Sequence, residues 1–195
     1  MQDVIDLTVI PLSGACGAEI KGVDITRPLA QETVQAIKQA WAKHLVLVFR
    51  GQTITQDQQL RFASYFGDLG NRKKALHIHE YKRSEKADIS GDFSGIPHYY
   101  HPVFITHPQT GRKSLFVDRL MTARIEGVPA HESSAILDQL YEISERPEFI
   151  YEHVWKLGDF LMWDNRCTIH ARTDFPKHER RLLRRCTVQG EPLFE

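Results

Sequence analysis

The chain has 195 residues, 42% hydrophobic and 26% charged, a globular balance that excludes a disordered chain, a collagen-like repeat and a disulfide scaffold. Twenty-five basic residues offset 25 acidic ones, so neither the basic stripe of a nucleic-acid binder nor a polybasic membrane anchor is present. The longest apolar run, Leu45 to Phe49, is far below the about 20 residues that span a bilayer. Taken in chain order, Val4 to Ile10 reads as a strand. Gly14, Gly17 and Gly22 then punctuate a turn-rich stretch around Ala18 to Ile20. Gln31 to Ala42 is helical in pattern, with Val34, Ile37 and Trp41 on one face. Leu45 to Phe49 fits a strand buried on both faces. Thr55 and Gln58 form a capping-box pattern that opens a second helix, with Leu60, Phe62, Ala63 and Phe66 on its buried side.

From Asn71 to Tyr100 the chain is polar and has no clean period, which predicts loop. Val103 to Thr106 and Ser114 to Val117 predict two strands joined by the turn at Pro108 to Gly111. His131 to Ile143 predicts a helix with Ile136, Leu140 and Ile143 on one face. Phe149 to Trp155, Phe160 to Trp163 and Arg185 to Gln189 predict three further strands. The sum is a mainly β fold with outer helices (α+β), forming a single domain over residues 1–195. Cys16, Cys167 and Cys186 are odd in number and unclustered, as expected of reduced thiols in a cytoplasmic protein. Asp3 and Asp6 break the N-terminal apolar stretch, so no signal peptide is expected.

The ten histidines are the one compositional excess, and most lie between His77 and His178. The strongest local pattern is W-D-N-R-C-T-I-H from Trp163 to His170, followed by Arg180, Arg181, Arg184 and Arg185. Neutral imidazole is a common ligand of iron, zinc and copper. A guanidinium fork captures carboxylates or sulfonates through paired hydrogen bonds. A core histidine followed by a solvated basic turn gives the same letters. His77-Ile78-His79 places two imidazoles on one face if it is a strand, and on no common face if it is a loop. His98 and His101 lie beside Pro97 and Pro102, which argues for loop. With His77 and His79 they leave open a structural zinc or nickel site.

Together these residues resemble the iron(II)- and 2-oxoglutarate-dependent taurine and aryloxyalkanoate dioxygenase family. W-D-N-R, His170 and the arginine pairs resemble its C-terminal signature. Pro11 to Pro28, Leu45 to Gly70 with F-R-G-Q and Y-F-G-D-L-G, and His101 to Val117 resemble three earlier blocks in the right order. The resemblance implies a double-stranded β-helix, or jelly roll. It implies Fe(II) held by two histidines and a carboxylate, with 2-oxoglutarate as co-substrate. By position, His170 resembles the distal iron ligand. Arg181 resembles the arginine that pairs with the far carboxylate of 2-oxoglutarate, and Arg185 the one facing the substrate anion. His79 and Tyr81 resemble substrate contacts. Met121 falls where taurine enzymes carry a pocket phenylalanine, which counts against taurine itself.

The chain departs from the family in one respect. The first two iron ligands come from an H-x-D motif, and no H-x-D or H-x-E occurs here. In family terms a block carrying part of the core is absent between about residues 91 and 98. The expectation is a further segment of the encoded protein at that point. The expected activity is hydroxylation of a small anionic organic substrate of sulfonate, sulfate ester or aryloxyalkanoate type. 2-Oxoglutarate and oxygen are consumed, and succinate and carbon dioxide are formed. The alternative is a non-catalytic jelly-roll binding protein that has lost its metal. Expected partners are the small substrate, 2-oxoglutarate, oxygen and further copies of the chain in a homo-oligomer, with no nucleic acid and no membrane.

Overall fold

The computed structural model describes residues 6–69, 98–176, 178 and 182–190, and they divide into two units. Of the described residues, unit one contains 6–69, 151–164 and those from 170 onward, and unit two contains 98–150 and 165–169.

Unit one is built on a four-stranded mixed sheet in the order Thr8–Pro11, Ala18–Lys21, Val46–Phe49 and Phe160–Trp163. β1 (Thr8–Pro11) and β2 (Ala18–Lys21) pair antiparallel. β2 runs parallel to β3 (Val46–Phe49), and β3 pairs antiparallel with β6 (Phe160–Trp163). All four residues of β3 are buried, as its unbroken apolar run predicts for a central strand covered on both faces. The parallel connection is made by α1 (Gln31–His44), whose Val34, Ile37 and Ala40 are buried. Lys43 and His44 in its last turn suit the negative end of the helix dipole. α1 ends at Leu45 in a left-handed conformation, φ 64°, where glycine is usual. The Leu45 carbonyl takes the Trp41 indole N–H at 3.1 Å and the Asp164 N–H at 3.0 Å, which holds the turn against that cost.

α2 (Gln56–Ser64) opens with the predicted capping box. Gln58 N–H donates to Thr55 Oγ1 at 3.2 Å, and Thr55 N–H donates to Gln58 Oε1 at 2.7 Å. Its buried stripe is Gln59, Phe62 and Ala63. Phe62 joins Ala18, Ile20, Ile25, Ile37, Leu47 and Phe49 in the core of the unit.

Unit two carries a two-stranded antiparallel sheet of β4 (Phe104–Thr106) and β5 (Lys113–Leu115), joined by the predicted turn. It also carries α3 (Ala130–Ser144). Val117, Leu137 and Tyr141 form its small core, with Leu115 and Leu140 packed against them. The predicted face of α3 is therefore displaced. Leu140 is partly covered, but Ile136 and Ile143 are exposed, and the buried stripe is Ser133, Leu137 and Tyr141. Ser133 belongs there because its hydroxyl accepts the Ile125 N–H at 2.8 Å.

Two predicted strands do not form. Phe149 to Trp155 begins in a short 3-10 helix (Pro147–Phe149) and continues without regular secondary structure, outside either sheet. Arg185 to Gln189 is irregular, with one backbone bond from Gln189 N–H to the Asp68 carbonyl at 2.6 Å. Alternation permits a strand, but only a neighbouring strand makes one. Among the described residues helices contribute more than strands, so the fold is mixed α/β rather than mainly β. No helix among them is long and apolar enough to cross a membrane.

Candidate functional site

β6 delivers Trp163 to the end of the sheet, where it pairs with Val46. Asp164 follows and is buried. The chain then turns and returns to unit one at His170. The His170 ring lies 5.2 Å from the Trp163 ring at a tilt of 59°. The Arg185 guanidinium lies over the same indole, 5.8 Å from its centroid. Trp163 is thus a shared platform for an imidazole and a guanidinium.

His170 is exposed along one edge, yet packing around its ring pulls its pKa below the ordinary 6.5, and the nearby Arg185 adds to the effect. The imidazole is therefore neutral at neutral pH, the form a metal requires. The basic segment is placed by α2. Buried Gln59 donates from Nε2 to the Arg184 carbonyl at 3.4 Å and lies 3.8 Å from Cys186 Sγ. The Arg184 side chain is itself spent on the Ile54 carbonyl. Among the described arginines of this segment, Arg185 is the one that lies over the Trp163 ring. At Gly67 an added Cβ would come within 2.7 Å of Val188, so the helix end and the basic segment are in close contact. Sequence reasoning missed Gln59. Its signal was a polar residue on the same face as Phe62 and Ala63, a position that requires a buried partner.

Of the residues singled out from sequence, the structure brings together His170 and Arg185. Arg185 does not lie on a strand, although the sequence predicts one from Arg185 to Gln189. Arg181, His79 and Tyr81 lie outside the described residues, as do His77 and the stretch from 91 to 97. Met121 is 79% exposed, in a turn whose backbone N–H donates to Asp118 Oδ1 at 2.9 Å. His98 and His101 are engaged with the rings of Tyr100 and Phe116. No group of three ligand-capable side chains among the described residues includes either of them, or His170. The donor chemistry of His170 fits one position of an Fe(II) centre.

Comparison with known families matches the Taurine catabolism dioxygenase TauD, TfdA family over residues 8–92 and again over 74–187. The (S)-phenoxypropionate/alpha-ketoglutarate-dioxygenase of Sphingobium herbicidovorans is 31% identical over 174 residues, covering 83% of this chain. The chain spans 60% of the length of that relative. The alpha-ketoglutarate-dependent 2,4-dichlorophenoxyacetate dioxygenase of Cupriavidus pinatubonensis is 25% identical, covering 91% of this chain and 96% of its own. That match runs over 276 positions against 195 residues here, so at least 81 of its positions have no counterpart. The two family matches meet between residues 74 and 92, close to where the sequence predicts a break. Among solved structures, AAD-2 in complex with Mn(II) and N-oxalylglycine superposes with a TM-score of 0.76 at 25% identity, covering 97% of this chain and 100% of that one.

Proposed function

The chain belongs to the Taurine catabolism dioxygenase TauD, TfdA family, and on that premise we propose that it is an iron(II)- and 2-oxoglutarate-dependent dioxygenase of small anionic organic substrates. The substrate is a sulfonate, a sulfate ester or an aryloxyalkanoate, and 2-oxoglutarate leaves as succinate and carbon dioxide. The observation that carries this reading is the imidazole of His170 and the guanidinium of Arg185 against one indole. Named relatives that act on phenoxypropionate and 2,4-dichlorophenoxyacetate support it.

His170 would hold iron, which supplies oxygen activation when bound. Arg181 binds the far carboxylate of 2-oxoglutarate, and Arg185 binds the anionic group of the substrate. His79, Tyr81 and Met121 contact the remainder of the substrate. A fork of two parallel N–H donors orients a carboxylate or sulfonate as well as attracting it. Trp163 shields one side of the imidazole from water. The protein is cytoplasmic and homo-oligomeric in this reading.

The complete gene product carries a further segment between about residues 91 and 98. It supplies an H-x-D pair and the strands that close a jelly roll. The shortfall of at least 81 positions supports this, as does uncovered apolar surface in unit two, where Phe104, Ile136 and Ile143 are exposed. Intact-mass measurement of the protein purified from its own gene, followed by an assay of 2-oxoglutarate decarboxylation with iron(II), tests the proposal. The expected result is a mass well above 22.5 kDa and turnover that His170→Ala abolishes. A mass of 22.5 kDa with no turnover, or full turnover in His170→Ala, overturns it.

A further inference from the structure

Unit one encloses a polar chain that substrate binding does not use. Tyr151 Oη lies 3.0 Å from His153 Nδ1, and His153 Nε2 lies 3.2 Å from Asp159 Oδ2. The same Oδ2 takes an Arg50 guanidinium N–H and, at 2.8 Å, the backbone N–H of Lys156. The side chains of His153 and Asp159 are 8% and 1% exposed, so the carboxylate is in a medium where charge must be paired. Arg50 also reaches the Val154 carbonyl at 3.4 Å, and the Trp155 ring stands edge-on to His153 at 4.7 Å.

These contacts join three pieces of chain. Arg50 directly follows β3, and Tyr151 to Trp155 is the stretch by which the chain returns to unit one. Lys156 to Asp159 is the turn that starts β6. The pairing of β3 with β6 runs from Phe49–Phe160 to Val46–Trp163. The polar chain therefore stands at one end of that pairing, and the indole beneath His170 at the other.

The centre of the network is not fully satisfied. Among the described residues His153 Nε2 and Asp159 Oδ1 make no aligned hydrogen bond. With the Tyr151 hydroxyl donating to Nδ1, Nε2 carries the ring proton toward a carboxylate already engaged by Arg50 and Lys156. A second proton on the imidazole sets two cations against one carboxylate.

We propose that Tyr151, His153, Asp159 and Arg50 form a proton-sensitive latch, in which Asp159 is a positioning residue for the start of β6 and protonation of His153 displaces Arg50 from it and loosens the Trp163 end. The groups facing His153 are Arg50 from the end of β3, Asp159 from the turn and Tyr151 from its own segment; Tyr151 in turn faces Cys16 and Glu19. Burial and Arg50 pull the imidazole below its ordinary range and outweigh the pull of Asp159. That is the direction a latch open only in acid requires. The inference rests on unit one alone and does not depend on the reaction.

A magnetic-resonance titration of the whole chain from pH 8 to pH 5 tests it, with the Trp155 and Trp163 indole signals and the His153 and His170 ring signals assigned separately. The expected result is that both indoles shift along with the His153 ring, at a midpoint below 6.5. His153→Gln keeps an amide toward Asp159 but does not titrate. It should lose the Trp155 shift and reduce the Trp163 shift to the part that follows His170. A Trp163 signal that follows only His170 in the unaltered chain overturns the latch, and that result stands even if His153→Gln does not fold. An unchanged Trp163 titration in folded His153→Gln overturns it equally.

Discussion

Phe62→Ala removes the ring on which unit one is assembled. The side chain is 1% exposed. Its ring meets Phe66 at 5.1 Å, Phe160 at 5.2 Å, Phe49 at 5.4 Å and Tyr65 at 6.5 Å, mostly edge to face. Truncating a buried phenylalanine costs about 3–5 kcal/mol. Each aromatic pair adds about 0.5–1.5 kcal/mol beyond the area it buries, so the upper half of that range is expected here. Against a net stability of about 5–15 kcal/mol this is a large share. With a urea slope of about 2 kcal/mol/M, the unfolding midpoint should fall by roughly 2 M. Phe62→Leu, which retains most of the volume but loses the ring pairs, should cost less than Phe62→Ala. Equilibrium urea unfolding followed by circular dichroism decides the matter. A cost below about 1 kcal/mol for Phe62→Ala would refute the aromatic cluster as the joint between α2, β3 and β6.

Arg185→Lys keeps the charge and loses the fork, so the Michaelis constant for the anionic substrate should rise about ten- to a hundred-fold, the equivalent of about 1.5–3 kcal/mol. Arg181→Lys should raise the constant for 2-oxoglutarate instead; steady-state kinetics with each substrate varied separates the two, and neither constant moves if both are solvated surface charges. Burial lowers the pKa of His44, His153 and His170 from 6.5, and raises those of Cys16 and Cys186 from 9.0. The unfolded chain then binds more protons than the folded one just below pH 6.5, and releases more just above pH 9.0. Stability should accordingly be flat between those limits, fall as pH drops through the depressed histidine values and fall again in alkali, as read by denaturant midpoints across pH. Gly22 has φ 78°, and an added Cβ would stand 1.7 Å from the Asp6 carbonyl oxygen. Gly22→Ala should therefore cost more than about 1–2 kcal/mol and shift the β1–β2 pair, visible in a thermal melt.

Much of the local architecture follows from the order of residues. The capping box at Thr55 and Gln58 forms because both partners lie within one turn of helix. The run Val46 to Phe49 has no polar residue to present to water, so burial on both faces is its one low-energy outcome. The β4–β5 pair needs only its connecting turn. The candidate ligand His170 and the candidate anion-binding Arg185 are likewise legible as residue types in a spaced pattern.

Tertiary structure decided what depends on a partner distant in sequence. Phe149 to Trp155 alternates as a strand does, but no neighbour among the described residues offers it a ladder, and its Tyr151 and His153 serve a buried polar network instead. On α3 two adjacent stripes are helical in period. The packing of Val117 and Leu115 selects Leu137 and Tyr141 over Ile136 and Ile143. Gln59 sits on the buried face of α2 by its spacing, but its partner comes from chain some 125 residues later. The platform at Trp163 is of the same kind. Sequence supplies an indole, an imidazole and a guanidinium, but their meeting depends on β3 fixing the register of β6 and on α2 holding the segment of Arg184 to Cys186. Local sequence sets short-range hydrogen bonds and periodicity, whereas long-range packing sets which of several equally periodic faces is buried.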